Sequence, residues 1–289
     1  MNATQIIIIV VALLVIKLIQ VLMKMKYQKQ TPLSAIFGRF AKLAMLFKGS
    51  GIKIDENAHL SEEELRKYSL GNLYAYQQQG TLNTFSTGVG ASVREIILGE
   101  YFGIKDRDSA VECLQWLVQA PSQMTFQYAF AALQEGGGKA SQDWIYANEE
   151  LKEHTDFREE CLSKLEKLEE HRADIINDGV AASEEEIGRL GVLAWDAGRL
   201  NFIGRLCFEQ KYISESECME CINAAYEMTK DAYSGWRDYA HSYVLGRTLS
   251  MGSTNMIGLA NDLLTNPKSP WNYICLLYTS PSPRDRTRS

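Results

Sequence analysis

Four side chains that could take part in binding or catalysis lie on two helical stretches in the C-terminal half. Asp196 and Arg199 are three positions apart, which makes them neighbours on a helix surface. Tyr243 and Arg247 are four positions apart in a later stretch that opens at Ser234. We predict that these two helices pack together and gather the four side chains around one polar spot.

Two interpretations of this polar cluster remain open. A buried carboxylate beside arginines can bind an anion or act as a base. It can equally form a buried ion pair that holds two helices together. The sequence favours the ion pair, because no nucleophile or metal ligand completes a mechanism. An open cleft that reaches these side chains would favour the binding site instead.

Recognised catalytic and cofactor motifs are absent from the sequence. It contains no phosphate-binding glycine loop, no dinucleotide fingerprint, no H-E-x-x-H and no G-x-S-x-G. The four histidines are scattered, which speaks against a multi-histidine metal centre. We therefore expect no metal and no cofactor, and whether the protein is an enzyme stays open.

The six cysteines are irregularly spaced, so they do not indicate a disulfide framework. Cys218 and Cys221 form a C-x-x-C, but a zinc site would need a second such pair or two nearby histidines. A redox pair would need a strand-turn-helix setting, and this pair lies within a predicted helix. We expect reduced, partly buried helix thiols.

The body of the chain is predicted to be helical. Strand patterns are scarce, whereas Ser61, Ser183 and Ser214 each precede a glutamate by three positions, which is typical of a capping box. Residues 184–210 are predicted to form one helix that packs closely on another at its glycines. Three tryptophans are predicted to form a packing motif: Trp195, Trp236 and Trp271.

Residues 55–274 are expected to form a helical domain, with a subdivision near residues 140–178. The highly charged stretch 151–176 carries only a thin apolar stripe, so we expect a long solvated helix linking two packed parts.

The N-terminus has the pattern of a membrane anchor. Residues 6–23 contain 16 apolar residues in 18, broken by Lys17 and Gln20. No charged side chain precedes this run, which favours an anchor over a cleaved signal peptide. We therefore predict a single transmembrane helix within residues 1–30. Residues 31–54 are expected to form an amphipathic juxtamembrane helix that contacts either lipid or the core.

Charge is divided sharply along the chain. Residues 1–54 hold eight basic and no acidic side chains, leaving 22 of the 30 basic and all 36 acidic side chains in the rest. The basic flank after the apolar run predicts a cytoplasmic body. An acidic body without a basic, aromatic-rich patch argues against nucleic-acid binding.

Four segments carry a resemblance to a known family: LGEYFGIKDRDSAVECLQWL (98–117), AWDAGRLNFIGRLCFEQKYIS (194–214), YSGWRDYAHSYVLGR (233–247) and LLTNPKSPW (263–271). Together they resemble the bacterial family with "domain of unknown function 1266". The resemblance implies fold kinship and a bacterial origin, and it supplies no catalytic residues. Residues 275–289 look like translated adapter sequence, so we expect this tail to be non-native.

The sequence as a whole favours a membrane-anchored bacterial protein whose cytosolic helical domain is a protein-interaction or scaffolding module with an unidentified protein partner. The alternative is an enzyme or small-anion-binding protein that uses the cluster around Asp196 and Arg247.

Overall fold

The computed structural model describes residues 51–276, whose regular secondary structure is helical apart from one isolated β-bridge between Lys53 and Thr81. The all-α prediction is therefore confirmed for this part of the chain. Its α-helices are α1 Glu62–Ser69, α2 Asn72–Gln77, α3 Ala91–Ile96, α4 Arg107–Val118, α5 Pro121–Leu133, α6 Gly138–Ala147, α7 Thr155–Asn177, α8 Glu184–Leu190, α9 Leu193–Glu209, α10 Glu215–Thr229, α11 Trp236–Met251 and α12 Ile257–Thr265. A π-helical turn, Ile97–Tyr101, continues α3.

The predicted serine caps begin three of these helices. Ser61 and Ser214 form complete capping boxes. The Ser183 hydroxyl accepts the backbone N–H of Glu186. The Glu186 carboxylate, however, accepts the backbone N–H of Ala182 and not that of Ser183. The serine positions therefore predicted the helix starts, although one box lacks its reciprocal bond.

Helix α9 lies at the centre of the domain and is buried from Ala194 to Cys207. It packs against α4, α10 and α11. The contact with α11 depends on glycine: a Cβ on Gly198 would lie 2.7 Å from the Tyr243 ring. The predicted close helix approach at this glycine is confirmed.

The predicted single helix over 184–210 is wrong, because the chain breaks at Gly191. This residue has φ +55°, a conformation that L side chains rarely adopt, and it separates α8 from α9. The Gln123 side chain stabilises the break by accepting the Val192 N–H at 2.7 Å. Four closely spaced glycines in the sequence do not reveal which one leaves the helix.

The charged stretch forms one helix, α7, close to the predicted limits. Its buried residues are Cys161, Leu165, Leu168 and Ile175. It packs against α5, α6 and α11, and the described residues from Ile52 to Leu276 belong to one compact unit. Helix α7 is therefore a packed element of the domain, rather than only a solvated link. The predicted domain limits themselves stay predictions.

Two of the three predicted tryptophans pack together. The rings of Trp236 and Trp271 stack with centroids 4.8 Å apart and an interplanar angle of 9°. The Trp271 indole N–H donates to the Ser69 carbonyl, and the Trp236 indole N–H donates to the Ile274 carbonyl. These bonds fasten residues 269–276 to α1 and α11. Trp195 lies in a different cluster, described below.

Among the helices of residues 51–276, none is long and apolar enough to cross a membrane. The predicted anchor at 6–23, most of the juxtamembrane segment and the tail beyond residue 276 lie outside the described residues.

Candidate functional site

The four predicted site residues meet around the Trp195 ring. The Arg199 guanidinium carbon lies 4.8 Å from the ring centroid, and that of Arg247 lies 6.0 Å away. The Tyr243 ring meets the indole edge-on, with centroids 5.0 Å apart. Asp196 joins this group through its ion pair with Arg199. Helices α9 and α11 therefore place all four side chains in one aromatic setting.

Asp196 is fully buried, and both of its carboxylate oxygens have partners. Oδ2 accepts the Gln123 backbone N–H at 2.9 Å, and Oδ1 accepts a bond from Arg199. Gln123 belongs to the first turn of α5, where backbone N–H groups have no partner within the helix. The carboxylate thus caps α5 and pairs with an arginine on its own helix. The sequence favoured an ion pair that joins two helices, whereas this pair lies within α9 and the link to a second helix is the Gln123 N–H of α5.

Arg199 is bonded on several sides, but part of its side chain remains exposed. One terminal nitrogen donates to Ser122 Oγ at 2.9 Å as well as to Asp196, and Nε donates to the Trp195 carbonyl at 3.3 Å. The guanidinium also lies 5.5 Å from the Trp116 ring centroid. Its side chain is 10% exposed, and the exposed part lines a cleft.

The cleft has a volume of about 280 Å³, a size suited to a small molecule. It lies where the end of α4, the start of α5, the middle of α7 and the end of α11 meet. Its lining residues are Trp116, Pro121, Ser122, Thr125, Glu160, Ser163, Lys164, Lys167, Arg199, Leu249 and Ser250. Three of these side chains are cationic and one is anionic, so the cleft has a net positive charge.

The Lys164 amine in this cleft has a lowered pKa. Burial and the neighbouring Arg199 lower the pKa of its amine to about 8, although Asp196 and Glu160 act in the opposite direction. Within residues 51–276, no carboxylate lies at ion-pair distance from this amine. The cleft therefore holds a partly buried lysine that forms no ion pair within the part of the chain that the structure describes.

Buried polar groups without a partner also lie beside Trp195. The Tyr243 hydroxyl and the Trp195 indole N–H are buried and have no hydrogen-bond partner in the described chain. Burial lowers the pKa of Arg247, which also forms no ion pair with any described residue. The Arg199 and Arg247 guanidiniums thus flank one indole, and only Arg199 has a carboxylate partner.

The C-x-x-C thiols lie in the helical core. Cys218 and Cys221 are buried on α10, and all six cysteines are free. Burial raises the pKa of Cys218 to about 12 and that of Cys221 to about 11. No group of three or more potential metal ligands occurs among the residues that the structure describes. These thiols are protonated core residues at neutral pH.

The two cleft lysines and Trp116 are not among the site residues predicted from the sequence. Lys164 and Lys167 lie three positions apart on α7, and this spacing is common on solvated helix faces. Only the packing of α7 against α5 and α11 places them beside Arg199. The α7 sequence contains no signal that would have separated these lysines from surface ones.

A family model described as "Protein of unknown function (DUF1266)" matches residues 97–275, more than half of the chain. The chain belongs to the DUF1266 family. The resemblance inferred from the four sequence segments is thereby confirmed. Every lining residue of the cleft lies within the DUF1266 region. No curated protein and no solved structure matches the chain.

Proposed function

We propose that the DUF1266 domain of this chain binds a small anion in the cleft between α4, α5, α7 and α11. The observation that carries this proposal is the convergence of Arg199, Lys164 and Lys167 on one open cleft. With Glu160 in the lining and Asp196 paired to Arg199, these three cations leave one positive charge in excess, which a bound anion would neutralise.

The shape and chemistry of the cleft favour a carboxylate or phosphate group. Arginine binds such groups through a planar set of N–H donors, and the lysines act as point charges. Ser122, Thr125 and Ser163 add hydroxyl groups to the wall. The exposed Trp116 offers an apolar surface for the rest of the ligand.

Asp196 supports this function without touching the ligand. Its two oxygens are engaged by Gln123 and Arg199, and it does not line the cleft. Of the four residues predicted from the sequence, Arg199 lines the cleft, whereas Asp196, Tyr243 and Arg247 do not.

The anion-binding proposal is tested by thermal unfolding of the full chain in inorganic phosphate, with sodium chloride at equal ionic strength as the reference. A ligand that binds the native state raises the unfolding temperature as its concentration rises. We expect this rise in the wild type and in Lys139→Met, whose lysine is exposed on α6. The rise should be lost in the Lys164→Met/Lys167→Met variant. An equal rise in all three proteins would contradict the proposal.

We further propose that residues 6–23 tether this domain to a bacterial membrane with the body in the cytoplasm. The support is the apolar run followed by a basic flank. Carbonate washing of membranes from cells that express the full chain tests the tether. Retention in the pellet is expected, and release into the wash would contradict it.

A protein-interaction or scaffolding role is the second candidate function, favoured by an exposed apolar face. Helix α3 has no buried residue, and Val93, Ile96 and Tyr101 are each more than 40% exposed. Crosslinking in cells compares the wild type with Val93→Ser/Ile96→Ser, and Val118→Ser is the control. A crosslinked partner lost only in the double variant would support this role. An unchanged crosslinking pattern would contradict a role for this face.

A further inference from the structure

We propose that Lys164 is a nucleophilic amine that forms an imine with a small oxoacid bound in the cleft. This proposal rests on the anion-binding function and names the class of anion. The oxoacid carboxylate would lie against Arg199, and its carbonyl carbon would face the Lys164 amine.

The residues that line the cleft support this inference. Lys164 and Arg199 line the same cleft of about 280 Å³, which is close to the lower end of the size range of small-molecule pockets. Arg199 lies near enough for its charge to lower the pKa of the Lys164 amine, so a carboxylate held by the guanidinium would place a small oxoacid beside that amine. Lys164 forms no ion pair within the described residues, so its Nζ is not occupied by a counter-ion.

The charges around Lys164 set its protonation. On α9, Arg199 lowers the pKa of the amine and Asp196 raises it. On α7 itself, Lys167 lowers it and Glu160 raises it. Burial is the largest influence, and the resulting pKa is about 8. About a quarter of the amine is then neutral at pH 7.5, compared with about one in a thousand for an ordinary lysine.

The chemical step balances without an added oxidant or reductant. The neutral Nζ attacks the carbonyl carbon, and one amine proton moves to the carbonyl oxygen to give a carbinolamine. Loss of that oxygen as water then leaves a carbon–nitrogen double bond to Lys164. A desolvated lysine beside another cation is a known way to activate an amine for this chemistry.

The test is reductive trapping on the full chain with pyruvate and sodium cyanoborohydride, followed by peptide mapping. We expect the N-(1-carboxyethyl) secondary amine to form first on Lys164, because a larger fraction of this amine is neutral at pH 7.5 than of an exposed lysine. Labelling in proportion to exposure, with Lys139 modified before Lys164, would overturn the proposal.

Lys164→Arg keeps the positive charge but cannot form the imine, so it separates this proposal from anion binding. We expect the variant to lose the cleft adduct while phosphate still raises its unfolding temperature. Stabilisation of the wild type by phosphate without an adduct on Lys164 would overturn the imine alone. Absence of both effects would overturn both proposals. Peptide mapping of the wild-type protein shows whether Lys164 carries the adduct, even where the variant does not fold.

Discussion

Gly246 lies so close to Trp195 that a Cβ on this glycine would be 2.4 Å from the tryptophan Cβ. Distances this short do not occur between real side-chain carbons, so even alanine would push α11 away from α9. Trp195 contacts both Arg199 of α9 and Arg247 of α11. The close approach at Gly246 therefore sets the distance between these two arginines.

Gly246→Ala is therefore expected to destabilise the fold by about 1–3 kcal/mol through overpacking. Urea denaturation monitored by tryptophan fluorescence measures this change. Gly258→Ala is the matched control, because a Cβ on that glycine of α12 meets nothing within 4 Å. Equal stability of the two variants would contradict the close contact.

Asp196→Ala should cost about 3–5 kcal/mol in the free energy of unfolding. The substitution leaves the buried Arg199 without its carboxylate and the Gln123 N–H without its acceptor. Asp238→Ala provides the comparison, since that carboxylate pairs with the half-exposed Arg189 and should cost much less. A loss for Asp196→Ala no larger than that for Asp238→Ala would argue against the capping role.

Lys164→Met should stabilise the protein at neutral pH. Burial lowers the pKa of Lys164 in the folded state to about 8 from its ordinary value of 10.5, so folding disfavours the charged amine. Below pH 8 the amine is charged in both the folded and the unfolded state, and the full free-energy cost of burying the charge reduces stability. This cost disappears as pH rises from about 8 to about 10.5. We expect a gain of about 3 kcal/mol at pH 7, from 1.36 kcal/mol per pKa unit.

Urea denaturation at pH 7 and at pH 10.5 measures this pH dependence. The stability difference between Lys164→Met and the wild type should shrink at the higher pH. A constant difference would mean that the amine titrates at its ordinary pKa.

The thiols should differ strongly in reactivity. Cys161 and Cys218 are fully buried, and burial raises the pKa of each to about 12, whereas Cys275 is exposed. Iodoacetamide at pH 8 is expected to alkylate Cys275 first and the two buried thiols only on unfolding. Rapid alkylation of Cys218 in the native protein would contradict the buried C-x-x-C.

The sequence predicted the parts of this structure that depend on local rules. Serine caps predict helix starts because a side-chain oxygen three residues away satisfies an orphan amide. The approach of α11 to Gly198 follows from the cost of an interior glycine, which close packing offsets. The meeting of Asp196, Arg199, Tyr243 and Arg247 follows from pairing these two helices.

The cleft could not be predicted, because it depends on tertiary packing. Lys164 and Lys167 belong to a charged helix that looks solvated in isolation. Their role arises only where α7 packs against the start of α5 and the end of α11. Similarly, Gly191 breaks the helix because Gln123, about seventy residues earlier in the chain, bonds to Val192 there.

A calorimetric titration of the full chain with inorganic phosphate at fixed ionic strength tests the anion-binding cleft most directly. We predict one site per chain in the wild type and in Lys139→Met, with affinity at least about tenfold weaker in Lys164→Met/Lys167→Met, or about 1.4 kcal/mol. Identical isotherms for the wild type and the double variant would contradict an anion site between α7 and Arg199.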